Sequence, residues 1–252
     1  MTTLTLDCET LTDAQESVAS ALGVSSVILA EAISEIDLDD LFESGKVEGH
    51  PDEVLWTLLV DRLRATPRKV SEVRWFHLTR TLPTSTFIEG ILPLTSALPR
   101  VWQTMSDLLS GTEHAERFEK LRSDGTTNFQ YNLKTGDPLH AGPYAMLIRE
   151  AAFRASEMGN HDYLRLPEIM EDICDGYEEA FGVRITQLIE GQLTPCIVKF
   201  RSSTVRGSYV STAALYVYNS HHRQRMTTSS NHIFDGRNRK VAAKDILRID
   251  FV

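Results

Sequence analysis

His77 stands in the run Val73-Arg74-Trp75-Phe76-His77-Leu78-Thr79-Arg80, which alternates with the two-residue period of a strand. Val73, Trp75, His77 and Thr79 point to one side, and Arg74, Phe76, Leu78 and Arg80 to the other. The imidazole therefore lies beside an apolar surface that can hold its ring in one orientation. A Pro/Ser/Thr break follows, then Phe87-Ile88-Glu89-Gly90-Ile91. Strand, His-x-Thr, turn and Gly-Ile form the one local order here that points to chemistry. Further along, Gly142-Pro143-Tyr144 offers an aromatic ring at the start of an apolar stretch. His221, His222 and His232 lie among Arg223 and Arg225. They read as a solvated basic loop, as phosphate contacts, or as a metal trio. Glu168, Glu171, Asp172, Asp175 and Glu178 recur at helical spacing, which suits a solvated helix face or a divalent-cation site.

The elements that must position these groups can be read from periodicity. Thr12 and Gln15 have the pattern of a capping box, Val18, Ala21 and Leu22 supply an apolar side, and Gly23 is a terminator. A second helix carries Leu29, Ile33 and Ile36, and the acidic run Asp37 to Glu43 keeps Leu38, Leu41 and Phe42. Pro51 suits the first turn of a third helix with Val54, Leu55, Leu58, Leu59 and Leu63 on one stripe. Leu98, Val101, Trp102, Met105 and Leu109 place another helix at 96–109. From Ser110 to Gly142 the chain is polar and Gly-rich, which predicts a mobile or partly disordered connection, with a short strand at Phe129, Tyr131 and Leu133. A helix is expected from Tyr144 to Ala155, with Leu147 and Ile148 on its face, and another from Pro167 to Gly182. Cys196 to Phe200, Ala214 to Tyr218 and Leu247 to Phe251 alternate as strands, and Asp235-Gly236 marks a turn. Helices lead and strands close the chain without a βαβ rhythm, so the fold class is α+β.

The chain has 252 residues, 42% hydrophobic and 24% charged, which is globular composition. No apolar run approaches the roughly 20 residues of a membrane span, and Met1 to Asp13 lacks the basic start of a signal peptide. Cys8, Cys174 and Cys196 are odd in number and have no metal spacing, so a cytoplasmic, reducing setting with buried thiols is expected. No Walker loop, G-x-G-x-x-G, H-E-x-x-H, G-x-S-x-G or paired C-x-x-C is present. The net charge of −9 hides a split. Up to Leu55, 13 Asp or Glu face a single base, Lys46; from Arg201 on, nine Lys or Arg face three Asp. The acidic head is a solvated surface, a polyanion mimic, or an intramolecular cover for the basic end. That basic end interleaves Arg201, Arg206, Arg223, Arg225, Arg237, Arg239, Lys240 and Lys244 with Tyr209, Tyr216 and Tyr218. Such a mixture suits a nucleotide or a nucleic-acid single strand.

From Val73 to Leu94 the chain resembles the entry strand of the ADP-ribosyltransferase fold, the group of diphtheria toxin and the poly-ADP-ribose polymerases. Phe76-His77-Leu78-Thr79 matches the His-Gly-Thr strand end, with Leu78 in place of glycine, and Gly90-Ile91 matches the following step. Gly142-Pro143-Tyr144 looks like the family's Gly-x-Tyr element, and Val241 to Val252 like its closing strand. The resemblance covers about a fifth of the chain. Periodicity makes 1–70 an acidic helical N-terminal region, and the resemblance implies that 71–252 is an α+β domain with a split antiparallel sheet. It also implies NAD as a substrate, cleaved at the nicotinamide–ribose bond, with a protein or nucleic acid as acceptor and a toxin or defence effector as setting. His77 would bond the adenosine ribose, the Leu78 backbone the nicotinamide amide, and Tyr144 would stack on the nicotinamide. Thr79 would support the strand end and Arg80 would meet the pyrophosphate. The family's late-strand glutamate has no counterpart, since no glutamate follows Glu190. Asn231, His232 and Asp235 are the polar residues left there, and His232 joins His77 and Tyr144 in the expected catalytic set, with no metal assigned. The alternative is a non-catalytic module that binds a nucleotide, nucleic acid or partner through the basic end, with His77 packed away.

Overall fold

A computed structural model describes residues 4–138 and 141–252. The elements run β1 (Thr5–Leu6), α1 (Leu11–Leu22), α2 (Ser26–Ser34), α3 (Leu38–Glu43), α4 (Pro51–Leu63), β2 (Glu72–Thr81), α5 (Leu94–Leu109), α6 (Ala115–Asp124) and α7 (Phe129–Gly136). Then come β3 (Tyr144–Met146), α8 (Ala155–Met158), α9 (Glu168–Phe181), α10 (Thr186–Glu190), β4 (Thr194–Ser202), α11 (Ser208–His221), β5 (Ile233–Asp235) and β6 (Ile246–Phe251). The strands form one six-stranded sheet in the order β5-β3-β2-β4-β6, with β1 beside β2. β2 and β3 are antiparallel with Phe76 opposite Met146, whereas the short β1 runs parallel to β2. The fold is α+β, as the sequence predicts. Among the described residues no single helix is long and apolar enough to cross a membrane; α1 and α2 reach that length and apolarity only together, and they are bent by 94°.

Compactness divides the chain into two units that interleave along the sequence. The first is Met1–Phe76, Ala145–Asn160 and Phe200–Phe234; the second is His77–Tyr144, His161–Lys199 and Asp235–Val252. The N-terminal helices therefore share a core with two later segments, where a linear boundary at residue 70 is the expectation from sequence. In the first unit α11 is the shared partner, and it packs against α1, α2 and α4. Eleven of its residues are buried, from Tyr209 to Asn219. A helix buried on every side carries no polar face, so the 3.6-residue period vanishes from its sequence. That is why the alternation at Ala214–Tyr218 reads as a strand and folds as a helix. The Tyr218 hydroxyl accepts from Leu38 N–H at 3.0 Å, and Ser211 Oγ lies 2.7 Å from the Asp52 carboxylate.

The second unit has its own core. Trp102, Met105 and Leu109 of α5, Phe118 of α6, and Ile173 and Tyr177 of α9 lie together with little exposure. The stretch expected to be a mobile connection holds α6 and α7; Leu139 and His140 within it lie outside the described residues. Phe129 to Leu133 is helix, not strand, because the Asn128 side chain accepts from Tyr131 N–H at 3.0 Å and starts α7. The first capping box is likewise Thr10 with Asp13, two residues ahead of the expected pair, with Asp13 bonding back to Thr10 N–H at 3.1 Å. Gly23, Pro51 and Gly182 hold the terminal positions predicted for them.

Candidate functional site

The expected helix at Tyr144 is the strand β3. The segment 142–147 spends its backbone groups on the segment 232–238, which leaves none for a helical ladder. Within the second unit Gly236 N–H donates to Pro143 O at 3.0 Å and Asn238 N–H to Gly142 O at 2.8 Å. In the first, Leu147 N–H donates to His232 O at 2.9 Å. Tyr144 consequently stands at the head of a strand, with its residue 41% exposed.

His77 and Tyr144 meet in the second unit. His77 Nδ1 donates to the Tyr144 carbonyl oxygen at 2.7 Å. A carbonyl can only accept, so Nδ1 carries the hydrogen, and in the neutral ring Nε2 keeps its lone pair as an acceptor. Desolvation holds the imidazole below its ordinary 6.5 and outweighs the opposing effect of this bond. The ring is neutral at neutral pH, with one fixed tautomer. Next to it Leu78 buries its side chain and Thr79 is partly exposed. Arg80 is occupied elsewhere: Nε donates to Glu190 O and Leu193 O at 3.0 and 3.1 Å, and Nη1 to Leu164 O at 3.0 Å. Its guanidinium staples three backbone carbonyls, and the pyrophosphate role expected of it does not follow from this placement.

The Gly-Ile step sits where the closing segment can hold it. Ile91 and Val241 exchange backbone hydrogen bonds of 2.9 and 3.0 Å. Gly90 has φ of 90°, and a Cβ there would run into the Val241 carbonyl oxygen.

Carboxylates gather around Tyr144. Burial raises its phenol above the ordinary 10.0, and Asp235, Glu168 and Asp137 add to the shift. Asp235 is fixed at the end of β5 beside Pro143 and accepts from Arg237 N–H at 2.8 Å. Glu168 accepts from the Tyr163 hydroxyl at 3.0 Å. Lys134 bridges Glu168 and Asp172 at 3.2 and 2.7 Å. Burial raises the Asp172 carboxyl although Lys134 opposes it. Sequence periodicity assigns Glu168 and Asp172 to a solvated helix face; Asp172 is buried, with Lys134 of α7 on it. Asp235 has a turn signal in the sequence, but its place beside Tyr144 follows from the β3–β5 pairing.

His232 belongs to the first unit. Its ring lies 4.7 Å from the Tyr209 ring, and burial, then Arg206, lowers its pKa against the opposing effect of Asp52. Tyr209 in turn meets Trp75 edge-on at 5.1 Å. The metal reading of the three C-terminal histidines fails its geometric test. His222 packs on Tyr218 at 4.3 Å with Nε2 3.3 Å from Ile33 O, and among the described residues no three His, Cys, Asp or Glu stand close enough to hold a metal ion. Tyr209, Tyr216 and Tyr218 are buried in α11, so the interleaving of arginine and tyrosine along the sequence builds no stacking surface. Asp39 and Asp52 of the acidic head bond Gln224 and Ser211, both uncharged.

No protein-family model, curated protein or solved structure matches this chain.

Proposed function

We propose that the chain is an NAD-using enzyme of the ADP-ribosyltransferase type, which cleaves the nicotinamide–ribose bond and passes ADP-ribose to a protein or nucleic-acid acceptor. The observation that carries this reading is the pair His77–Tyr144. One hydrogen bond fixes the tautomer, desolvation keeps the ring neutral so that Nε2 is an acceptor, and the bond ties the ring to Tyr144, a residue 41% exposed. In this scheme His77 Nε2 accepts from a ribose hydroxyl, the Leu78 backbone meets the nicotinamide amide, and the Tyr144 ring lies under the nicotinamide. The C–N bond breaks with its electron pair going to the nicotinamide nitrogen, so positive charge grows on the ribose carbon. Fixed negative charge beside that carbon lowers the barrier. Asp235 supplies it, in place of the late-strand glutamate the sequence lacks and in preference to His232. Its carboxylate lies in the same unit as His77 and raises the Tyr144 pKa.

The test is nicotinamide release from NAD by the wild-type chain, beside His77→Ala, Asp235→Asn and His232→Gln. Release that falls by about 10²-fold in the first two, as loss of an electrostatic stabiliser does elsewhere, and persists in the third is the expected result. Folded protein that neither binds NAD nor releases nicotinamide, with candidate acceptors supplied, would overturn the proposal. A specific observation favours one rival, a non-catalytic binding module. Arg237, Arg239 and Lys240 lie exposed directly after Asp235, and NAD binding without release would point there.

A further inference from the structure

β6 ends the strand order among the described residues, with β4 on one side of it. Val252 N–H donates to Pro195 O at 3.1 Å, so the end of β6 lies against the start of β4 and the two run antiparallel. Backbone groups alternate sides along a strand. Even-numbered residues of β6 therefore turn theirs to β4, and Leu247, Ile249 and Phe251 turn theirs to the outer edge. Leu247, Phe251 and Val252 are 43%, 42% and 47% exposed. An outer edge with apolar side chains is a template for another strand.

The sequence of this edge is complementary to itself. We propose that β6 is a self-association surface on which a second copy of the chain adds its own β6, antiparallel and centred on Ile249. That register makes Ile249 opposite Ile249 a hydrogen-bonded pair, since both turn their backbone groups outward. It sets Leu247 opposite Phe251 and Ile246 opposite Val252, joining apolar to apolar. It also places Arg248 opposite Asp250 of the second copy, twice, at the closer non-hydrogen-bonded positions where cross-strand charges interact best. Within one chain the two are already held side by side, Arg248 Nε 2.6 Å from Asp250 Oδ1 and Nη2 2.8 Å from Oδ2. Two copies thus build a square of alternating charges. A shift of one residue would pair Arg248 with Ile249 or Asp250 with Ile249 and lose both charge pairs. The two-fold arrangement is closed, so it makes a dimer and not a fibre.

Sedimentation of the full chain over a range of concentrations tests the register. The wild type is expected to approach twice its 28.4 kDa mass. Arg248→Asp and Asp250→Arg each set like charges opposite one another and should weaken association at least about tenfold. Mixed in equal amounts, they should form a dimer with one copy of each, and the double exchange in one chain should associate like the wild type. Ile249→Pro removes an outward N–H, which an edge strand tolerates, and should give a folded monomer. A wild type that stays monomeric throughout, or association unchanged by both single charge variants, would overturn the proposal. Neither readout depends on NAD.

Discussion

At the scale of single residues, His77 makes the fold sensitive to pH in a direction that can be worked out. Its folded pKa lies below the ordinary 6.5 because the ring is desolvated. Above that value the ring is neutral in both states and the fold loses nothing. Below it the unfolded chain takes up a proton that the folded ring refuses, so stability falls as the pH drops through 6.5 toward the lowered folded value. His232 is shifted in the same direction, also by burial, and adds to the slope. Thermal unfolding followed between about pH 7 and 5 should show the midpoint dropping. His77→Gln, which cannot take a proton, should flatten that drop, with His232→Gln removing a further part. An unchanged slope in both variants would mean that neither ring is held neutral by the fold. The place of His77 beside apolar neighbours is legible in the alternation of 73–80. Its tautomer is not, because that is set by a carbonyl 67 residues away in the chain.

At the scale of elements, what the sequence reveals depends on whether an element has two different faces. α5 and α9 each bury one side and expose the other, and their spacing places them within a residue or two. α11 is buried all round and loses its period. β3 is three residues long, too short to show one, and its identity rests on pairing with a segment almost ninety residues on. Gly90 shows the same dependence. The Gly-Ile step is visible in the sequence, but the reason for glycine is the Val241 carbonyl that crosses it. Gly90→Ala must therefore relieve both a positive φ and a backbone collision, and should cost about 1–3 kcal/mol in chemical denaturation. Gly23→Ala has the positive φ alone, with nothing within reach of the new Cβ, and should cost less. Equal costs at the two positions would show that the docking of Ile91 on Val241 is not what constrains Gly90.

At the scale of the whole molecule, the sequence suggests that residues 1–70 form a region apart, because their charge differs so sharply from the rest. Charge describes surfaces, whereas a unit is defined by what its core needs, and the first unit needs α11. Asp52 bonds Ser211, Leu38 N–H bonds Tyr218, and Ile33 O meets His222, so the N-terminal helices satisfy their polar groups on a helix more than 150 residues later. The apolar part of the contact is larger. Val210, Leu215, Tyr216, Val217 and Tyr218 are each at most 7% exposed. Stripping the N-terminal helices from α11 would return much of this surface to water at roughly 1.5–3 kcal/mol per large side chain. Three or four such side chains consume most of the roughly 5–15 kcal/mol by which a domain is stable. A chain beginning at Ser71 should therefore fail to build the first unit: it should lose that unit's unfolding transition, with α11 unprotected from hydrogen exchange, and should aggregate or be digested rapidly by protease within Phe200–Phe234. Supplying residues 1–70 as a separate peptide should restore a transition, since the missing partner is a surface and not a covalent link. Cooperative unfolding of the shortened chain alone, with α11 protected from hydrogen exchange, would mean that the acidic head is dispensable for the core it shares with α11.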